Sequence, residues 1–351
     1  LSQNKMSNQK VVLVLGGAGA QNSAVVRELA KSGSFLIKVM SRDIKSEECV
    51  ALSALRFVEL LEGNCYDEAV LVSAFRGVHA CFVNTNGFAI GEKAELYWGI
   101  RIYEIAYWSG VAHFVYSSLP YVSKRSGYDP THRVPFVDAK GKVCGEYKKY
   151  LKGQPTDKMK WSILETGPYP EAFLAAWAPT KDADGTYVFR MPIGSEGAVP
   201  FVALADLAWF ARYILEHPLE FEGGLLSIAI AHISGDMVAS AFTAVTGEPA
   251  RFEPSSLSEV VKTWPGTKIG MAGSPGFDDP TLMTMAGQLV PWYTIWQESG
   301  GNTGIWTKDY NRLDRIHSNR IRSIEQWMRA NGYSTQKRPP VLKTGIFGDP
   351  M

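Results

Sequence analysis

Val11-Val12-Leu13-Val14-Leu15-Gly16-Gly17-Ala18-Gly19-Ala20-Gln21 is the stretch that decides the fold. Five consecutive valines and leucines leave no polar face, so they read as a strand buried on both sides, as in a parallel sheet. Glycines follow at once. Helical spacing then appears through Ala24, Val25, Leu29 and Ala30, and Ser32-Gly33 closes it. A glycine turn between a buried strand and a helix is the arrangement that holds a dinucleotide pyrophosphate. Gly16 permits a tight exit from the strand. Gly19 lets the backbone approach the phosphates, which rest on the amides and positive end of the helix starting near Gln21. A third glycine is expected at position 22, where Asn22 stands. The competing explanation is a glycine-rich turn with no ligand.

The alternation continues outward from this turn. Phe35–Met40, Phe57–Leu61, Val78–Val83 and His113–Tyr116 read as strands, the last leading into Ser117-Ser118. Helical spacing runs through Val70, Leu71 and Phe75, and again from about Glu92 to Ser109, with Gly110 as its stop. Trp161–Leu164 reads as a further core strand and Ser227–Ala231 as strand-like. Pro200–Leu215 joins a short strand to a helix, and Asp236–Val245 is a helix stopped by Gly247. The fold class expected is α/β, a Rossmann-type doubly wound parallel sheet with a smaller C-terminal α+β substrate or cap region. The division expected is 10–165 for the nucleotide domain, with further sheet elements from about 199–235. Residues 166–198 and 236–333 form the smaller region, and 334–351 a tail. Because a methionine stands at Met6, residues 1–5 are left out of the fold.

The totals exclude several classes. A formal net charge of +1 over 351 residues gives no electrostatic footprint for nucleic acid or an anionic membrane. The richest apolar stretch, Val199–Leu215, is broken by Asp206 and Arg212. Residues 1–9 lack the basic-then-apolar layout of a signal peptide. Cys49, Cys65, Cys81 and Cys144 are scattered without zinc or redox spacing, so no metal is expected and a reducing, cytoplasmic location is.

The residues after the second strand bear on the choice between NAD and NADP. An acidic side chain there binds the ribose 2′-hydroxyl, whereas an arginine accommodates a 2′-phosphate. The sequence has Ser41-Arg42-Asp43. Arg42 can make a bidentate, charge-assisted contact and Ser41 can add a hydroxyl, which favours NADP(H). Asp43 fits an NAD site or a helix cap.

Several spaced motifs, in order, resemble the NmrA-like family of atypical short-chain dehydrogenases/reductases. They are Val14–Gln21, Ser41-Arg42, Gly63-Asn64, Val83-Asn84-Thr85, Gly110–Ser118 and Val134–Lys140, then Thr166-Gly167-Pro168, Pro200-Phe201-Val202 and Asp206. The resemblance covers residues 11–333 and weakens across the aromatic segment between Trp264 and Trp306. It implies a cofactor in the cleft between a Rossmann domain and a smaller domain. Gly16, Gly19, Ala20, Gln21 and Arg42 would then hold the adenosine phosphates. Asn64 and Cys65 would lie beside the adenine, although the family usually has Asp at the first of these. Asn84 and Thr85 would line the middle of the cofactor, Lys140 would reach the nicotinamide ribose, and Tyr169 would lie near the nicotinamide.

The superfamily's usual acid is a tyrosine four residues before the lysine, its pKa lowered by that lysine. Phe136 occupies that position, and a phenyl ring has no proton to give. The literal Tyr333-x-x-x-Lys337 match lies in the polar tail and reads as chance. Two functions remain. One is an NADPH-dependent reductase of a small hydrophobic or aromatic carbonyl or enone. Its nonstandard donor is Lys140, as in isoflavone-reductase-like relatives, with Tyr116, Ser118 and Tyr169 as further candidates. The other is an inactive NADP(H) redox sensor that regulates a protein partner, for which a nuclear location is also open. Trp292, Tyr293, Trp296 and Trp306 suit a lid over a flat substrate, ordinary core, or a partner surface if exposed. The length and aromaticity of that segment favour the enzyme.

Overall fold

Strand and helix alternate from the first described residues onward. The computed structural model describes residues 9–150, 158–263 and 282–336. β1 (Lys10–Leu15) runs into α1 (Ala20–Ser32), followed by β2 (Phe35–Ser41), α2 (Glu47–Ser53), β3 (Val58–Glu62) and α3 (Glu68–Ala74). Next come β4 (Ala80–Val83), α4 (Gly87–Trp108), β5 (His113–Ser118), α5 (Val122–Arg125), α6 (Pro135–Tyr150) and β6 (Lys160–Glu165). Local chemistry sets the boundaries. The side chains of Ser46 and Asp67 cap α2 and α3 on the amides of Cys49 and Val70. Gly33 ends α1 in the left-handed region (φ 68°), its amide on the Leu29 carbonyl. Helix α4 is interrupted at Gly91 (φ 75°, ψ 171°), so its regular part begins at Glu92, where the apolar spacing starts.

The second half contains β7 (Thr180–Lys181), β8 (Tyr187–Met191), β9 (Ala198–Pro200), α7 (Leu204–Glu216), β10 (Leu225–Ser227) and β11 (His232–Ser234). It continues with α8 (Gly235–Thr246), β12 (Ala250–Pro254), α9 (Leu257–Thr263), α10 (Met285–Gln297), α11 (Tyr310–Ile316) and α12 (Ile324–Ala330).

Among the described residues the large sheet has seven strands in the order β10-β6-β5-β4-β1-β2-β3, all parallel. This is the α/β, Rossmann-type doubly wound sheet. The order reverses between β1 and β4, and sheets of this kind bind ligands beyond the carboxyl ends of the strands at that point. Residues of β1 alternate between two layers. Val12 and Val14 pack with Val25 and Leu29 of α1 and Leu207 and Ile214 of α7. Leu13 and Leu15 pack with Leu71, Ile102 and Val143 on α3, α4 and α6. Each such side chain, fully buried, contributes about 1.5–3 kcal/mol. Helices α4 and α6 meet closely at Gly99, where a Cβ would come 2.6 Å from a Val143 methyl.

A second core lies beside this sheet. β8 pairs in parallel with β12 and antiparallel with β7, and β9 pairs antiparallel with β11. Phe173, Trp177, Phe189, Phe201, Phe242 and Trp327 fill it. Within residues 199–235, α7 and β10 serve the large sheet, whereas β9 and β11 pair with each other.

The strand expected at Ser227–Ala231 is corrected: β10 ends at Ser227 and β11 starts at His232. The run between them is buried and apolar, but a side chain takes its carbonyls. One Arg320 nitrogen donates to Ala229 O (3.2 Å) and Ile230 O (2.7 Å). Tyr333, expected beside a loose tail, is interior, its hydroxyl donating to Phe173 O. Residues 1–5, 264–281 of the aromatic segment, and Lys337 with the rest of the tail lie outside the described residues. Among the described residues no helix is long and apolar enough to cross a membrane, and no His/Cys/Asp/Glu group could hold a metal ion.

Candidate functional site

The turn from β1 to α1 lies at the point where the strand order reverses. Gly16 has φ 101°, and a Cβ there would come 2.4 Å from Asn22 Nδ2 and 2.8 Å from Asn84 O. Asn22 Nδ2 donates to Leu15 O at 2.8 Å. The asparagine at the expected third-glycine position therefore ties the first helical turn to the end of β1. Gly19 caps α1 in extended conformation (φ −74°, ψ 153°) with no side-chain hydrogen bond, and its carbonyl takes the Ser23 amide. The first amides of α1, including those of Ala20 and Gln21, have no intrahelical partner and can meet an anion.

At the end of β2, Arg42 is exposed and makes no ion pair with any described residue. Ser41 Oγ donates to Asp43 O, and Asp43 Oδ1 accepts from the Lys45 amide at 2.9 Å. Asp43 thus closes its own turn, and the cap of α2 is Ser46. Asn64 is exposed, its Oδ1 accepting from the Tyr66 amide. Burial pushes the neighbouring Cys65 thiol up to about 11, with Arg42 acting against the shift.

The densest chemistry lies where β4, β5, α4 and α6 converge. Lys140 is 7% exposed, and its ammonium donates to Asn84 Oδ1 (3.3 Å), Thr85 O (2.7 Å) and Thr85 Oγ1 (3.1 Å). It also pairs with Glu95 Oε1 at 2.9 Å. Glu95 is wholly buried on α4, and the same oxygen accepts from Thr85 Oγ1 at 2.5 Å and Tyr116 Oη at 3.4 Å. Lys140 Nζ lies 5.3 Å from the centre of the Tyr116 ring. Sequence reasoning missed Glu95. The available signal was its position: Glu95, Gly99, Ile102 and Ala106 share the buried face of α4.

The other proton-donor candidates have their hydroxyls engaged. Tyr116 is inside the Glu95 network, and burial holds its phenol well above the usual range. Ser118 Oγ donates to Leu119 O and accepts from Cys144 Sγ, both at 3.0 Å. Tyr169 Oη donates to Gln21 Oε1 at 2.7 Å, and burial raises its pKa, with Glu171 adding to the shift. Gln21 Nε2 in turn donates to Ser117 Oγ, so three segments meet at one buried amide.

Phe136, one helical turn before Lys140, packs between Phe88 (ring centres 4.3 Å apart) and Trp292 (5.1 Å). Its amide donates to Gln288 Oε1, a buried contact that the sequence did not flag. The four aromatic residues read as lid, core or partner surface lie in the interior. Trp292, Tyr293, Trp296 and Trp306 are at most 6% exposed and form part of the second core. The three tryptophans meet edge-to-face or tilted, and Trp292 meets the site through the Phe136 ring. The physical reason is apolar area: rings this large pack against each other rather than against water.

The fold and the site together define a Rossmann-type α/β protein with a glycine turn at its switch point and a buried lysine beside the segment after β4. More narrowly, the chain belongs to the NmrA-like family, whose profile matches residues 8–273. An NmrA-like family domain-containing oxidoreductase of Aspergillus japonicus is 28% identical over 251 residues, 69% of this chain and 75% of that protein. Two solved structures share the fold. NmrA, a negative transcriptional regulator solved with NADP, superposes with a TM-score of 0.67 at 18% identity, covering 92% of this chain and 98% of that one. An NADPH-dependent quinone oxidoreductase of Escherichia coli, solved with NADPH, gives 0.63 at 19% identity, covering 87% and 94%.

Proposed function

We propose that this protein is an NADP(H)-dependent oxidoreductase acting on a small hydrophobic or aromatic carbonyl or enone, with Lys140 as proton donor. The observation that carries this is the Lys140 ammonium, pinned at the carboxyl ends of β4 and β5 one helical turn from an aromatic wall.

The residues present fit the cofactor. The uncapped first turn of α1 suits a pyrophosphate, with Gly16, Gly19, Ala20 and Gln21 around it. Arg42, exposed and without an ion pair among the described residues, suits a 2′-phosphate, with Ser41 beside it. Asn64 and Cys65 would flank the adenine, Asn84 and Thr85 the middle of the cofactor, and Lys140 and Tyr169 its nicotinamide end. When bound, the cofactor supplies the hydride. Lys140 holds a proton at Nζ and presents it to a developing oxyanion, an electrostatic and acid role together. Phe88, half-buried, offers an apolar face to a flat substrate, and Phe136 and Trp292 back it.

NADPH consumption against quinones, enones and aromatic ketones tests the proposal, with loss of turnover expected in Lys140→Ala. The second possibility, an NADP(H) sensor acting on a protein partner, draws on the phenyl ring at Phe136, which has no proton to give. No turnover, with cofactor affinity unchanged in Lys140→Ala, decides for the sensor. Capture of a protein partner that depends on bound NADP(H) would do the same.

A further inference from the structure

We propose that Glu95 is the positioning residue of this site, its buried carboxylate fixing the Lys140 ammonium in place of the missing tyrosine. The inference rests on the proposal that Lys140 meets cofactor and substrate.

The direction of the hydrogen bonds supports it. Thr85 Oγ1 gives its proton to Glu95 Oε1, so toward Lys140 that hydroxyl acts as an acceptor. Tyr116 Oη also lies within reach of Oε1. The Thr85 and Tyr116 hydroxyls and the Lys140 ammonium therefore converge on one carboxylate oxygen. The four acceptor contacts of Lys140 come from two segments: Asn84 and Thr85 after β4, and Glu95 on α4. Without Glu95 the ammonium would be held from the β4 side alone.

The second observation is the other oxygen. Glu95 Oε2 is buried and has no hydrogen-bond partner among the described residues. A Cβ on Gly87 would lie 3.2 Å from it, so the glycine leaves that oxygen room. A buried carboxylate satisfied on one side only is a poor way to hold two helices together, and an apolar residue of similar volume would do so at lower cost. The arrangement has a rationale if the negative charge is needed at Lys140.

Access for Glu95 is built into the packing. At Gly99, one turn further along α4, the absence of a side chain lets α6 approach, and Tyr147 Oη donates to the Gly99 carbonyl at 2.5 Å. That closeness brings Glu95 within reach of Lys140. In the usual superfamily arrangement the lysine and its acid lie on one helix. Here the partner charge comes from a different helix, and position 136 is free to be apolar.

Acylation of lysines by acetic anhydride at fixed pH, read by peptide mass spectrometry on the full cofactor-free chain, tests this. In Glu95→Gln, loss of the carboxylate frees the amine, and labelling of Lys140 rises about tenfold or more. Glu95→Asp keeps the charge at longer range and gives a smaller rise. Lys308, fully buried elsewhere with its Nζ on Ser227 Oγ, reports loosening of the fold and stays unlabelled. Equal Lys140 labelling in wild type and Glu95→Gln overturns the proposal, as does a rise at Lys140 matched at Lys308. NADPH turnover of the wild type is measured in parallel. If turnover is absent while the labelling pattern holds, the reductase assignment fails and the positioning role stands.

Discussion

The Tyr169 phenol donates a 2.7 Å hydrogen bond to the side-chain oxygen of Gln21, 148 residues earlier in the chain. This contact joins the loop after β6 to the first turn of α1, and Gln21 passes the link on to Ser117 at the end of β5. Tyr169→Phe removes the donor and leaves a buried amide oxygen unpaired, which costs about 1–3 kcal/mol. Urea denaturation of the variant should show that loss. NADPH affinity should fall as well, because the same helical turn is proposed to receive the pyrophosphate. A stability within about 0.5 kcal/mol of wild type would mean that the hydrogen bond holds nothing together.

Selectivity for the phosphorylated cofactor is predicted to reside in Arg42. A charge-assisted hydrogen bond contributes about 1.5–3 kcal/mol, roughly tenfold to a hundredfold in affinity. Arg42→Ala should weaken NADPH binding by that factor and leave NADH binding nearly unchanged. Asp43 is engaged with the Lys45 amide, so Asp43→Ala should alter neither preference. Calorimetric titration with both cofactors reads the result, and equal losses for NADPH and NADH in Arg42→Ala would remove the case for a phosphate contact.

The parts of this molecule that a sequence displays are those whose cause is local. β1 is legible because five apolar residues admit no exposed face, and Gly33 because a helix end needs a left-handed residue. The break at Gly91 was legible only as a late helix start. What stayed hidden depends on tertiary proximity. Glu95 looks like one more charge in Glu92-Lys93-Ala94-Glu95 until α6 is laid against α4, and nothing local says that its partner is 45 residues away. The tryptophans carried composition but not direction, since burial in a second core and enclosure of a ligand call for the same residue types. The run after Ser227 has strand-like composition, yet Arg320, some 90 residues later, takes two of its carbonyls.

Glu171 supplies a pH dependence that can be isolated by one substitution. It follows Tyr169-Pro170 and is buried, and its Oε2 has no hydrogen-bond partner among the described residues. Burial pushes its carboxyl up from 4.5 to about 7, against the hydrogen bond from Trp327 Nε1. Because the folded value lies above the unfolded one, the folded state binds the extra proton. The stability linked to this group is therefore full below about pH 4.5 and is lost as pH rises through 7. The shift corresponds to about 3 kcal/mol. Glu171→Gln keeps the shape of the neutral acid and cannot ionise, so it should match wild type near pH 4.5 and exceed it by a few kcal/mol at pH 8. Asp206, pushed up to about 6 by burial, titrates in the same sense in both proteins and cancels from the comparison. Chemical denaturation of the pair at the two pH values provides the measurement. A stability difference that does not change with pH would show that Glu171 does not carry the proton.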